Sequence, residues 1–175
     1  MIIYAGYEVI IPQIKQSLKL DDKKLLKIET GYTGQQLIGP ILKIASIAGT
    51  EAIAKEIVER IKNLLADSKA KVEKAGLKGK PVICHFFYKG FAEEMGLNPV
   101  ATIGPAPLEL FNLGELVKKE AVLIIDNAHN PVAQPLTEIK KGVRIVECIN
   151  FPGSGNTNSL EEVINYNVSK IIDRE

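Results

Sequence analysis

The second half of the chain alternates regularly between short apolar runs and amphipathic segments. The apolar runs are short and rich in Val and Ile, which is typical of buried strands. They cover residues 80–87, 98–104, 121–126 and 143–149. Amphipathic segments of helical character follow them at 88–97, 108–120, 131–142 and 159–172. This pattern predicts an α/β fold: a four-stranded parallel sheet flanked by helices, with right-handed crossovers.

The first half predicts a different arrangement, dominated by one long helix. A short strand opens the chain at Ile2, a helix follows, and a second short strand is expected at 25–29. Pro40 is expected to begin a helix that runs to about Ile47. Thr50 then opens a segment without a helix breaker until Gly76, which predicts a helix of roughly 25 residues and about 37 Å.

Composition excludes several classes of function. The 175 residues carry 22 basic and 21 acidic side chains, and they contain no Trp. A nearly neutral chain with few aromatics does not favour a nucleic-acid partner. No apolar run is long enough to span a bilayer, and the first residues lack the features of a secretory leader. On these grounds the chain is expected to be cytoplasmic if complete, and extracytoplasmic if it is a fragment of an exported protein.

Motifs for covalent catalysis are missing from the sequence. Cys84 and Cys148 each lie in an apolar run, where a thiol usually acts as a small buried hydrophobe. There is no G-x-S-x-G elbow, and GSGNTN lacks the lysine of a P-loop. The sequence therefore predicts a binding module and not an enzyme.

Polar side chains collect where the predicted strands end. The first strand ends at His85, close to Tyr88, and the third ends at Asp126, close to His129. The carboxyl ends of parallel strands meet at one edge of the sheet, where ligands bind in this class of fold. Two imidazoles and a carboxylate are suitable ligands for zinc or a similar divalent ion. The alternative is structural: a hydrogen-bonded strand-end His85, with Asp126 and Asn127 capping the next helix.

Four sequence segments support a family resemblance. They are IIYAGYEVIIPQI, the long helix from Thr50 to Ala75, KGKPVICHFFYKGFAEEMGL, and SLEEVINYNVSKI. Together they resemble the helical-backbone class of solute-binding proteins that serve ABC importers, in particular the zinc- and manganese-binding family. The resemblance covers nearly the whole chain but only part of such a protein. It implies a remnant of an N-terminal lobe at 1–48, a linker helix at 49–78 and an α/β C-terminal lobe at 79–175.

The resemblance also implies a ligand site with altered chemistry. His85 falls on a metal-ligand position of the family, and Asp126 matches an acidic position found in many members. Gln35 and Asn150 stand where the family usually has a His and a carboxylate, and amides bind zinc poorly. We therefore expect His85, Asp126 and His129 as metal ligands, with Gln35, Asn150 and Tyr88 as pocket residues.

Two functional hypotheses follow. The first is the ligand-binding lobe of a metal-type solute-binding protein, which binds zinc, manganese or a metal chelate and delivers it to an ABC permease. The second is a cytoplasmic α/β protein-interaction domain that has lost metal binding. A chain that opens on a strand is also expected to dimerise to cover that strand's edge.

Overall fold

The computed structural model describes residues 1–173. The chain divides into two compact units, Met1–Arg60 and Ile61–Glu175, and each is described by itself. The division falls within the long helix. The functional boundaries at residues 48 and 78 stay predictions.

The first unit contains two short strands and two helices ahead of the long one. Their bounds are β1 (Ile2–Tyr4), α1 (Ile11–Ser17), β2 (Leu25–Lys27) and α2 (Gly34–Ala48). Strands β1 and β2 pair in parallel, with Ile3 opposite Leu26. The opening strand therefore has a neighbour within its own chain. The second strand confirms the expectation for 25–29, and dimer formation stays a prediction.

Helix α2 begins earlier than predicted. Thr33 and Gln36 form a capping box, in which the Thr33 side chain accepts from the Gln36 backbone N–H at 3.2 Å. Pro40 lies inside the helix and does not start it. The capping box fixes the start of the helix at Thr33, seven residues ahead of the proline. The prediction that Pro40 opens this helix was wrong.

Helix α3 (Glu51–Lys74) is the long helix predicted from the uninterrupted pattern. Its 24 residues span about 36 Å. Its last buried residues are Ile61, Leu65, Ser68 and Val72, at alternating spacings of four and three. This stripe is one helix face within the second unit.

The second unit is a parallel sheet with helical crossovers, as predicted. Its elements are β3 (Pro81–His85), α4 (Lys89–Glu94), β4 (Asn98–Ile103), α5 (Leu110–Lys118), β5 (Leu123–Asn127), α6 (Gln134–Ile139), β6 (Arg144–Cys148) and α7 (Leu160–Ile172). The strand order is β4-β3-β5-β6, and every neighbouring pair is parallel. The predicted α/β fold class is confirmed.

The core of this unit explains why the strands are almost wholly apolar. Ile83 of β3 and Ile124 of β5 are fully buried on one sheet face, against Leu136 of α6. Val163 and Ile164 of α7 are also fully buried. A parallel sheet covered by helices has no solvated face, so polar residues are displaced to the strand ends.

Candidate functional site

The sheet has one topological switch point, between β3 and β5. The chain leaves β3 towards β4 on one side and leaves β5 towards β6 on the other. Crossovers that run in opposite directions open a crevice at the carboxyl ends of the two strands. Cys84 pairs with Ile125, so the next residues, His85 and Asp126, lie side by side at this crevice.

His85 is completely buried at the end of β3. Its Nδ1 accepts a hydrogen bond from the Phe87 backbone N–H at 3.3 Å. Its Nε2 has no hydrogen-bond partner within residues 1–173. Burial lowers the pKa of His85, and the nearby Asp126 carboxylate opposes part of that effect. The imidazole is therefore neutral at physiological pH, and because Nδ1 accepts a hydrogen bond, its proton lies on Nε2. Nε2 can bind a metal only after it gives up that proton.

Gly104 closes one side of the His85 ring. It follows β4 with a φ of +72°. A Cβ built on Gly104 would lie within 2.4 Å of His85 Nε2. Only glycine combines this backbone conformation with so close an approach.

The Asp126 carboxylate stabilises the loop that leads to α6. It accepts from the backbone N–H groups of Asn127 at 2.8 Å, Val132 at 3.0 Å and Ala133 at 2.7 Å. These bonds give Asp126 a structural role, as the alternative interpretation expects, but their donors lie in the loop and at the N-cap residue Ala133, ahead of the first turn of α6. Binding a metal here would compete with these backbone donors.

Asn127 and His129 occupy the loop after β5. The Asn127 side-chain oxygen accepts from the His129 backbone N–H at 2.9 Å. Its Nδ2 is buried without a hydrogen-bond partner in the described part of the chain. The His129 side chain is exposed, and its ring stacks on Phe151 with centroids 4.1 Å apart and planes 25° apart.

Two of the predicted pocket residues contact each other directly. The buried Tyr88 hydroxyl donates to the Asn150 side-chain oxygen at 2.6 Å. This bond joins the turn after β3 to the loop after β6. The third, Gln35, is exposed on α2 in the first unit, in a groove with Lys27 and Lys43.

The structure does not assemble the predicted metal ligands into a ready-made cage. Among the residues that the structure describes, no group of three or more His, Cys, Asp or Glu side chains is arranged to hold a metal ion. His85 is buried, Asp126 is bonded to backbone donors and His129 is exposed. Metal binding by this set stays a prediction.

Sequence reasoning missed two contributors to the site. Phe151 was not singled out because its role depends on stacking with His129, which is distant in sequence. Gly104 was missed because its close approach to His85 is a tertiary contact. The Gly-Pro pair directly after β4 is the signal that could have indicated a special backbone there.

A groove of about 540 Å³ runs beside the edge strand β6, and its lining includes Asp126 and Pro131 from the end of β5 and the loop that follows. Arg144, Tyr166 and Lys170 are among its lining residues. The Arg144 guanidinium donates to the backbone oxygens of Lys170 at 2.8 Å and Ile171 at 2.5 Å. Its charge is thus used to cap α7, so the strand-end site is the stronger candidate for ligand binding.

Comparison of sequences identifies no family for this chain. No protein-family model matches the sequence, and no curated protein shows significant sequence similarity. None of the helices described is long and apolar enough to cross a membrane.

Comparison of structures identifies the fold. The manganese complex of the SBP FpvC from Pseudomonas aeruginosa matches with a TM-score of 0.67 at 15% identity, covering 97% of this chain and 77% of FpvC. A manganese-bound periplasmic metal-binding protein from Candidatus Liberibacter asiaticus matches with a TM-score of 0.71 at 14% identity, covering 98% of this chain and 79% of that protein. A zinc-bound mutant variant of AdcAII from Streptococcus pneumoniae matches with a TM-score of 0.57 at 16% identity, covering 90% of this chain and 75% of AdcAII.

These neighbours confirm, at the level of the fold, the resemblance drawn from the sequence motifs. The chain has the fold of metal-binding solute-binding proteins and spans about three quarters of the length of these three. At such low identity the likeness establishes architecture alone. Function has to be argued from the site.

Proposed function

We propose that this chain is the ligand-binding component of an ABC importer and binds its solute at the switch point between β3 and β5. The solute is a divalent metal ion, zinc or manganese, or a metal chelate. The observation that carries the proposal is His85: a neutral, buried imidazole whose Nε2 lacks a partner within residues 1–173, in a fold shared with metal-binding proteins. An orphaned buried nitrogen is costly unless a ligand or water satisfies it.

Three side chains at this edge supply metal-binding atoms. His129 offers an imidazole nitrogen, Asp126 offers a carboxylate, and His85 offers Nε2 once that nitrogen gives up its proton. To use all three, the loop after β5 must rearrange, because Asp126 is held by the Val132 and Ala133 N–H groups. The importer's permease is the expected recipient of the solute, and the chain would then work outside the cytoplasm.

A second candidate is a protein-interaction domain without a metal. The bonds that occupy the Asp126 carboxylate favour it, as does the exposed pair Phe86 and Phe87 beside His85. In this alternative the strand ends form a contact surface for another protein.

Calorimetric titration with zinc, manganese and nickel distinguishes the metal-binding proposal from the protein-interaction alternative. The first proposal predicts saturable binding that weakens in His85→Ala and in His129→Ala. Glu120→Gln is the matched control, because Glu120 is an exposed acidic residue ahead of β5, at the opposite edge of the sheet. Absence of binding for all three ions, or equal affinities in wild type and both histidine variants, would exclude a site for the bare ions at this edge.

A further inference from the structure

Three strand-end loops are joined into one continuous rim in the second unit. The Tyr88–Asn150 hydrogen bond, at 2.6 Å, ties the turn after β3 to the loop after β6. Phe151, the next residue of that loop, stacks on His129 from the loop after β5. The switch-point crevice is therefore bordered by residues that hold one another in place.

The exposed surface of this rim is aromatic. Phe86, Phe87 and Phe151 expose 59%, 51% and 57% of their surface. Phe86 and Phe87 contact each other edge to face, with centroids 5.9 Å apart. Rings of this size are usually buried, and exposed rings on the loops that border a ligand-binding crevice indicate an apolar ligand surface.

His129 adds one accessible metal-binding group to this aromatic surface. Its ring stacks on Phe151, and neither ring nitrogen has a hydrogen-bond partner anywhere from residue 1 to residue 173. A single accessible imidazole is too few ligands for a bare zinc ion, which takes three or four from the protein. A planar chelate brings its own equatorial ligands and needs only an axial one.

We propose that the rim binds a planar aromatic metal chelate of the porphyrin type, with His129 as axial ligand, Phe151 supporting the His129 ring, and Phe86 and Phe87 against the macrocycle. This inference rests on the proposed function and specifies its ligand. His85 and Asp126 are not required as metal ligands in this mode. Their hydrogen bonds to Phe87 and to the loop after β5 are left intact, and those bonds position the rim.

The test is a spectroscopic titration of the full chain with hemin, the iron(III) porphyrin. We expect a saturable shift of the main absorption band, with the signature of imidazole ligation. Metal-free protoporphyrin should bind more weakly, because it can stack but cannot accept an axial ligand. His129→Gln should abolish the imidazole signature and weaken hemin binding at least about tenfold. Phe151→Leu should also weaken binding, since it removes the stacked ring beside His129.

Ile139→Ala is the control for non-specific adsorption, because Ile139 is an exposed apolar residue at the end of α6, near the amino edge of the sheet. It should bind hemin like the wild type. The same spectrum and affinity in wild type and His129→Gln would overturn the inference. Zinc or manganese binding without any hemin binding would overturn it and leave the proposed function standing. If neither the metal ions nor hemin bound, both the proposed function and this inference would be rejected.

Discussion

The Cα of Gly104 packs against the imidazole of His85 so closely that no side chain fits between them. The contact joins the end of β4 to the end of β3 and holds the ring at the switch point. Because Gly104 also has a φ of +72°, a substitution there has two separate costs, one of backbone conformation and one of steric overlap.

Gly104→Ala should therefore destabilise the protein by more than the backbone cost alone. Gly142→Ala is the matched control: Gly142 has a φ of +87°, and no described neighbour lies within 4 Å of the position that the alanine methyl group would take. We expect about 1–2 kcal/mol for the control and a clearly larger loss for Gly104→Ala, measured by urea unfolding. In a His85→Ala background, Gly104→Ala and Gly142→Ala should cause similar losses of stability, because the imidazole is no longer there to overlap with the new methyl group. Equal losses in the wild-type background would contradict the contact.

Removal of the Asp126 carboxylate should loosen the loop after β5. Asp126→Ala leaves three buried N–H groups without their acceptor, at a cost of about 3 kcal/mol. Asp67→Ala, at an exposed position of α3, should change stability by less than about 0.5 kcal/mol. Unfolding midpoints measure both. If Asp126→Ala were as stable as the wild type, the role of the carboxylate in holding this loop would be refuted.

Stability should fall as the pH drops below about 6.5, the ordinary pKa of histidine. Because burial lowers the pKa of His85 in the folded state, the unfolded chain takes up a proton before the folded chain does. The stabilisation from neutral His85 is thus fully present above pH 6.5 and is lost as the pH falls through the folded pKa. His85→Gln should flatten this part of the stability profile, and His129→Gln should retain it. A profile that His85→Gln leaves unchanged would assign the dependence to other groups.

Arg144 should stabilise the C-terminal end of α7. Its guanidinium donates to the backbone oxygens of Lys170 and Ile171, which have no further helical turn to bond them. Arg144→Ala should cost about 1–3 kcal/mol, because charge-assisted bonds are lost. Arg144→Lys should recover only part of this, since an ammonium does not reproduce the two-pronged geometry. Hydrogen exchange of the last turn of α7 gives a local readout, and unchanged exchange in Arg144→Ala would contradict the role.

Much of this fold was predictable because its periodicities are strong. The strands around Ile83 and Ile124 are apolar on both faces, and the breaker-free segment from Thr50 to Ala75 predicted α3. Burial within that helix was harder to predict. Ile53 fits a helical repeat but is exposed, whereas Ala54 is buried, because the neighbouring elements decide which stripe is covered.

The site was only partly predictable, because the sequence shows where a residue lies along a strand but does not show which residues its side chain contacts. The order of strands and helices placed His85 and Asp126 at one edge of the sheet. It left open whether Asp126 binds a metal or backbone N–H groups, and it did not identify Val132 and Ala133 as the donors. Nor could it show that His129 stacks on Phe151. Such contacts depend on how loops fold over the strand ends, which local propensity does not determine.

Hydrogen exchange, with and without ligand, tests most directly whether the strand-end rim is the binding site. Zinc, manganese and hemin are added separately to the full chain. We predict that at least one of them protects the segments 85–88, 127–130 and 149–152 and leaves residues 144–147 and 166–170, on the far side of the groove beside β6, unchanged. Protection confined to residues 144–147 and 166–170 or to the first unit, or no protection of the rim by any of the three ligands, would contradict this account.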